Sequence, residues 1–277
     1  MADPVRCTID EHVAHVRLNR PDKLNALELA TFDALIEAGE ALKADRSVRA
    51  VVLSGEGRSF CAGLDTSLFA AMAHQEGAPP GTPSPAGGGG TNRLFEREPG
   101  RISNRAQHAV YVWAEMPAPV IAAVHGHALG GGLQLAVAAD IRIVAPDATL
   151  SALEIRWGLV PDMTGTQLLP RLVGVDVAKE MAFTGRMVSG EEAFRIGLAT
   201  HLSTTPLDDA LALASQIAGR SPDAVRGAKA LIDHAGRIPL ADGLLAEERT
   251  ARGLTGTPNQ VEAIMSYLER RAPRFME

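Results

Sequence analysis

Val120-Ile121-Ala122-Ala123-Val124-His125-Gly126-His127-Ala128-Leu129-Gly130-Gly131-Gly132-Leu133-Gln134 is the stretch that decides the fold. Five consecutive apolar residues read as a short buried strand, His125-Gly126 close it, and three glycines open a helix. A helix that starts in such a turn points free backbone N–H groups, and the positive end of its dipole, at one spot. The same arrangement occurs once before. Ala50-Val51-Val52-Leu53 is a buried-type strand closed by Ser54-Gly55-Glu56-Gly57, and the turn from Gly57 through Cys61, Gly63 and Leu64 to Asp65 then runs into a helix.

Outward from these two units, residues 12–18 alternate apolar and polar as a strand, stopped by Arg20-Pro21-Asp22. Leu29, Phe32, Leu35, Ile36 and Leu42 fall at helical spacing between Leu27 and Lys43. Ile141-Arg142-Ile143-Val144 is a further strand. Strands alternating with helices up to residue 145 predict an α/β core with parallel neighbours. Beyond residue 166 the pattern is helical, over 175–184, 190–196, 206–219, 222–234, 239–253 and 258–271. The reading divides the chain into a core at 1–200 and a helical region at 201–277. Asp208-Asp209 suits the first turn of a helix, where negative charge is favourable. Gly77 to Gly90 contains ten Gly or Pro in fourteen residues. It is read as a surface excursion, either a lid or a plain disordered insertion.

Composition narrows the function. The chain has 277 residues, 46% hydrophobic and 22% charged, with net charge −6. A sizeable core is affordable, and an acidic balance argues against a nucleic-acid role driven by bulk charge. No apolar run reaches the length of a membrane helix, and residues 1–6 lack a secretory pattern, so a soluble cytoplasmic protein is expected. Cys7 and Cys61 cannot make a disulfide framework.

The glycine turn lacks G-x-G-x-x-G and the phosphate-binding P-loop pattern. Two strand–turn–helix donors in one chain suggest instead paired N–H groups around a polarised carbonyl oxygen. Glu154 stands between Leu153 and Ile155, neighbours that would desolvate its carboxyl and raise its pKa toward a proton-transfer role; the alternative is a surface glutamate paired with Arg156. A serine hydrolase would need G-x-S-x-G, which is absent; Ser59 and Ser67 lie near the first turn without an evident His–Asp pair. His125-x-His127 has no third metal ligand in view, and no metal is expected.

These residues carry a resemblance. Arg20-Pro21-Asp22-Lys23-Leu24-Asn25-Ala26-Leu27, then Gly57 to Gly63, then Gly126 to Gly132, then Glu154 with Gly158-Leu159-Val160-Pro161 resemble, in order, the crotonase family, also called the enoyl-CoA hydratase/isomerase superfamily. The likeness runs across residues 5–275, and the segment from Tyr267 to Phe275 is similar to the family's C-terminus. It implies a spiral of ββα units with a helical C-terminal region that forms homotrimers, often paired into dimers of trimers. It implies an acyl-CoA thioester substrate, with coenzyme A entering as part of that substrate and no separate cofactor. It places an oxyanion hole at the N–H groups of Leu64 and Gly131. Lys23, Leu24, Ala62, Asp65 and Thr66 match the stretch lining the CoA pocket, and Arg270, Arg271 and Arg274 are candidates to meet its phosphates or simply a solvated helix end.

The departures from the family pattern favour a subtype. Hydratases of the family carry two glutamates. Glu154 matches one, and Gln134 stands where the other belongs. An amide cannot take a proton from water at neutral pH, so double-bond isomerisation is expected ahead of hydration. Asp162 matches the second proton-transfer acid of dienoyl-CoA isomerases, although those relatives also keep an acid at the position of Gln134. The expected roles are Glu154 as base and acid, Asp162 as partner and Gln134 as hydrogen-bonding positioner. The alternatives are a 2-enoyl-CoA hydratase and a non-catalytic acyl-CoA-binding homologue.

Overall fold

The computed structural model describes residues 3–73 and 91–277. The Gly/Pro-rich segment 77–90, and His74 beside it, lie outside the described residues. An antiparallel hairpin of β1 (Val5–Asp10) and β2 (Val13–Leu18) precedes α1 (Leu29–Ala44). Next come β3 (Ala50–Gly55), α2 (Thr66–Ala73) and α3 (Arg105–Ala114). Then β4 (Val120–Val124) and β5 (His127–Leu129) lead into α4 (Gly131–Val137). Finally β6 (Ile141–Val144) and β7 (Thr149–Ser151) lead through a 3-10 turn, Leu153–Trp157, to α5 (Gly165–Val173) and α6 (Val175–Thr184).

The successive strands β4–β5 and β6–β7 each give one strand to each of two sheets. The larger sheet has the order β1-β2-β3-β4-β6-β9, parallel from β2 onward, where β9 is His201–Leu202. The smaller sheet joins β5, β7 and β8 (Val188–Ser189), and Cys61 adds to it through a parallel bridge to Ala128. This is the expected α/β spiral of strand–strand–helix units. Its sheet is covered on both faces, which explains the unbroken apolar strands. Val51, Leu53, Ala122 and Val124 face the main core with Phe32, Leu35 and Trp113. Ala50, Val52, Ile121, Ala123 and Ile143 face α8 (Pro206–Ala218) through its Ala210 and Ala214.

After β8 come α7 (Gly190–Arg195), β9 and α8, then α9 (Pro222–His234), α10 (Leu240–Leu254) and α11 (Pro258–Leu268). Asp208 and Asp209 do lie in the first turn of α8. Two boundaries differ from the sequence reading. β9 and α8 pack with the sheet, so the helices that stand off it begin at α9, not at residue 201. The last helix stops at Leu268 rather than 271, because Arg270 takes a left-handed conformation with φ 54°. α10 buries no residue, α9 only Pro222, and α11 only Asn259 and Ser266, leaving Leu240 on α10 78% and Tyr267 on α11 82% exposed. Among the described residues no helix is long and apolar enough to cross a membrane.

Candidate active site

The two glycine turns meet. Cys61 N–H donates to His127 O at 2.8 Å and Leu129 N–H donates to Cys61 O at 3.0 Å, lacing the first turn to β5. Two glycines permit the approach. A Cβ on Gly132 would fall 2.3 Å from Cys61 O, and one on Gly63, whose φ is +89°, would fall 2.6 Å from Leu129 O. The same Gly63 position is 3.7 Å from Gly131 N, so the residue before Leu64 abuts the start of α4. Leu27 donates to Gly63 O and accepts from Asp65 N–H, at 2.7 and 2.9 Å. In that parallel bridge Leu64 turns its own N–H to the opposite side. Neither Leu64 N–H nor Gly131 N–H has an acceptor among the described residues, and both residues line one cavity of about 440 Å³.

Every site residue expected from the sequence lines that cavity: Lys23, Leu24, Ala62, Leu64, Asp65, Thr66, Gly131, Gln134, Glu154 and Asp162. Lys23 ends a 3-10 turn, and Leu24 follows in the left-handed region with its carbonyl accepting from Ala62 N–H at 2.9 Å. Asn25, buried under this loop, donates to Ser59 O and Glu56 O and accepts from Arg20 N–H. The Asp65 carboxylate is committed internally: Arg20 donates to it at 2.9 Å, as do the backbone and hydroxyl of Ser67. Burial pushes its pKa up, but the Ser67 and Arg20 donors outweigh that and hold it below its usual value. Asp65 therefore shapes the wall, and Thr66 opens α2 beside it.

Glu154 sits in the 3-10 turn, only 8% exposed. Its Oε1 accepts from Gln134 Nε2 at 2.6 Å, whereas Oε2 is buried with no hydrogen-bond partner among the described residues. Burial raises its pKa, opposed by its own backbone N–H and by Gln134, and the charge of Asp162 raises it further. Asp162 is open to water within the concavity, yet the surrounding walls desolvate it enough to raise its pKa too. The Glu154 carboxylate is buried and bonded to Gln134 rather than exposed beside Arg156, which leaves the surface-pair alternative without support.

Gln134, 2% exposed on α4, is locked in one orientation. Its Oε1 accepts from Met163 N–H at 2.7 Å and Gly165 N–H at 2.9 Å. Backbone N–H groups can only donate, so the oxygen must face them and the NH2 must face Glu154. A Cβ on Gly165 would come 2.7 Å from that oxygen, which is why the turn has glycine there. Between the two donors Thr164 has φ +75°, a strained conformation for a β-branched residue. The clamp thus ties α4 to the loop that carries both carboxylates, and reading the sequence does not find it because its partners lie 29 and 31 positions away.

Other candidates fall into structural roles. Ser59 is buried and its hydroxyl bonds His127 Nδ1 at 2.9 Å, while His125 Nε2 bonds Gly57 O, so both histidines brace the turn. Among the described residues no group of three or more metal-ligating side chains occurs. Burial pushes the Cys61 thiol up to about 12, outside nucleophilic use near neutral pH. Arg271 pairs with Glu262 and Glu269, so its guanidinium is taken by carboxylates. Sequence reasoning missed the apolar lining: Phe32, Phe69, Leu94, Phe95, Trp157 and Met163.

The enoyl-CoA hydratase/isomerase family model matches residues 13–276. The chain belongs to this family. It is 35% identical to the enoyl-CoA hydratase domain-containing protein 2, mitochondrial, of Bos taurus over 96% of this chain and 85% of that one. It is 33% identical to the peroxisomal Delta(3,5)-Delta(2,4)-dienoyl-CoA isomerase of Arabidopsis thaliana over 98% and 95%. The crystal structure of an enoyl-CoA hydratase from Mycobacterium tuberculosis H37Rv superposes with TM-score 0.83 at 29% identity, covering 99% of each chain. Family members thus carry both hydratase and isomerase names, and the geometry around position 134 bears on which chemistry this chain performs.

Proposed function

We propose that this family member is a proton-shuttling enoyl-CoA isomerase. The carrying observation is the fixed Gln134 amide. Its oxygen is filled by two backbone N–H groups and its NH2 by Glu154, so it offers no acceptor to an attacking water. A hydration that needs two carboxylates to hold water has only one on this side of the cavity.

In the proposed reaction the thioester oxygen of a 3-enoyl-CoA accepts from Leu64 N–H and Gly131 N–H. Charge developing on that oxygen is stabilised there, which acidifies the proton on C2. Glu154 removes this proton through Oε2, the atom without a protein partner. The electron pair spreads over the dienolate as far as C4. C4 then takes a proton from a carboxylic acid, either Glu154 itself or Asp162, and the double bond ends between C2 and C3. If Asp162 supplies the proton, Glu154 passes its own to cavity water and Asp162 takes one back from that water, so both carboxyls return to their starting states. A raised pKa strengthens Glu154 as a base and keeps the captured proton on its carboxyl until C4 takes it. The reaction needs neither metal nor separate cofactor.

Glu154→Gln keeps the shape and should lower turnover of 3-enoyl-CoA by about 10²- to 10⁴-fold. Undiminished turnover removes Glu154 from the mechanism. The competing reading, hydration of 2-enoyl-CoA, is favoured by relatives such as the methylglutaconyl-CoA hydratase of Mus musculus, 32% identical. Rapid hydration of crotonyl-CoA by the unmodified protein would establish it instead. We also propose that copies assemble through the exposed apolar side chains of α10 and α11, including Leu240, Leu244, Ile264 and Tyr267, as a homotrimer or a dimer of trimers. A monomer in sedimentation equilibrium would refute that assembly.

A further inference from the structure

The cavity is lined by aromatic rings out of proportion to their supply. The chain holds only 2 Trp, 2 Tyr and 7 Phe, yet Phe32, Phe69, Phe95 and Trp157 all line this one cavity. Two of them form a defined surface. The Phe69 and Trp157 rings stack with centroids 4.3 Å apart and planes 18° from parallel. The stack joins two elements far apart in the chain, α2 and the 3-10 turn. Trp157 remains 52% exposed, a large apolar ring that the described residues leave half uncovered.

The position of the stack shows which part of a thioester it would meet. Side chains three apart in a 3-10 helix eclipse one another, so Trp157 lies in line with Glu154. Phe69 lies one helical turn beyond Asp65, just after the turn that carries Leu64 N–H. The ring pair therefore spans from the carbonyl-polarising turn to the proton-transferring carboxylate. Carbons beyond C2 of an acyl chain would lie there, away from the Lys23-Leu24 loop that the family resemblance assigns to the CoA moiety.

We propose that the Phe69–Trp157 pair selects flat, conjugated acyl groups, aryl-conjugated or polyenoyl, over saturated chains of similar size. This rests on the reading of the cavity as an acyl-CoA site but not on the direction of proton transfer. A planar π-system can lie against the rings and gain stacking energy beyond area burial, whereas a kinked alkyl chain gains burial alone. Aromatic pairs contribute about 0.5–1.5 kcal/mol beyond burial, or about two- to tenfold in affinity.

The test compares cinnamoyl-CoA with octanoyl-CoA by calorimetry on the wild-type protein, Trp157→Leu and Phe69→Leu. Leucine keeps an apolar wall and removes the ring. The expected result is that each variant loses about two- to tenfold of the preference for cinnamoyl-CoA. Fluorescence gives an independent reading, because the other tryptophan, Trp113, is fully buried in the core. Cinnamoyl-CoA should quench Trp157 emission in the wild type and leave Trp157→Phe unchanged. An equal loss for both thioesters, or no quenching on binding, overturns the proposal while leaving the acyl-CoA reading intact. Failure of both thioesters to bind overturns both readings.

Discussion

Replacing Gln134 by Leu tests whether the amide clamp builds the site. The substitution leaves Met163 N–H and Gly165 N–H without their acceptor in a buried place, each costing about 1–3 kcal/mol. It also removes the 2.6 Å donor to Glu154. Leucine recovers part of this through extra apolar burial, so a net destabilisation of about 2–5 kcal/mol is expected. At about 2–4 °C per kcal/mol for a chain near this size, the melting temperature should fall by about 4–20 °C. Two further readouts separate the clamp from a generic core defect. Hydrogen exchange should accelerate locally at Met163 and Gly165, while the β3 and β4 amides change far less. The acidic limb of the isomerase pH profile should move upward, because the donor that opposes the raised Glu154 pKa has gone. A stability change below about 0.5 kcal/mol with an unmoved pH profile would refute the clamp.

Two other outcomes follow from the same geometry. Gln134→Glu keeps acceptor oxygens for the two N–H groups but sets a second carboxyl against Glu154, so the pair should share a proton near neutral pH and hydration of 2-enoyl-CoA should rise above wild type; a product assay showing no gain argues against the two-carboxylate explanation. Because Glu154 and Asp162 are raised in the fold, the native state holds more protons than the unfolded chain between their ordinary values, 4.5 and 3.8, and their elevated ones. Their contribution to stability is complete at the acid end of that window and is lost as pH rises through it, whereas turnover climbs as Glu154 becomes a base. Urea unfolding across pH should show this fall, and it should be shallower in Glu154→Gln; a slope identical to wild type would mean Glu154 is not perturbed.

What the sequence discloses depends on how local the cause is. The strands at 50–53 and 120–124 are legible because burial on both faces forces an unbroken apolar run, and 141–144 is legible despite the buried Arg142 because its other three residues are β-branched and apolar. β1 is not, although Val5, Cys7 and Ile9 alternate with Arg6, Thr8 and Asp10; five of its six residues are exposed, so the alternation marks no buried face. β5, β7 and β8 have two or three residues each and exist only through pairing across the chain. α5 escapes a periodicity reading because Pro170 interrupts it. α3 left an unused signal, the capping box of Asn104 and Gln107. The site divides in the same way. Residue types and order pointed to Glu154, Asp162 and the two glycine turns, but the Gln134 orientation and the Phe69–Trp157 stack are products of tertiary approach.

That division has a chemical consequence. Polarising a carbonyl with main-chain N–H groups depends on turn geometry, which Gly63 and Gly132 permit by leaving space that any side chain would fill. Moving protons depends on side chains held by the loop from Leu153 to Gly165, and Gln134 hydrogen-bonds that loop to α4. The first task is insensitive to substitution at position 134, and the second responds to it directly. An amide and a carboxylate at this position can both accept from Met163 and Gly165, so both preserve the loop, but only the carboxylate adds a second proton acceptor beside Glu154. On the proposed mechanism a single atom replacement, N for O, therefore separates hydration from isomerisation while the sheets, the glycine turns and the cavity stay the same.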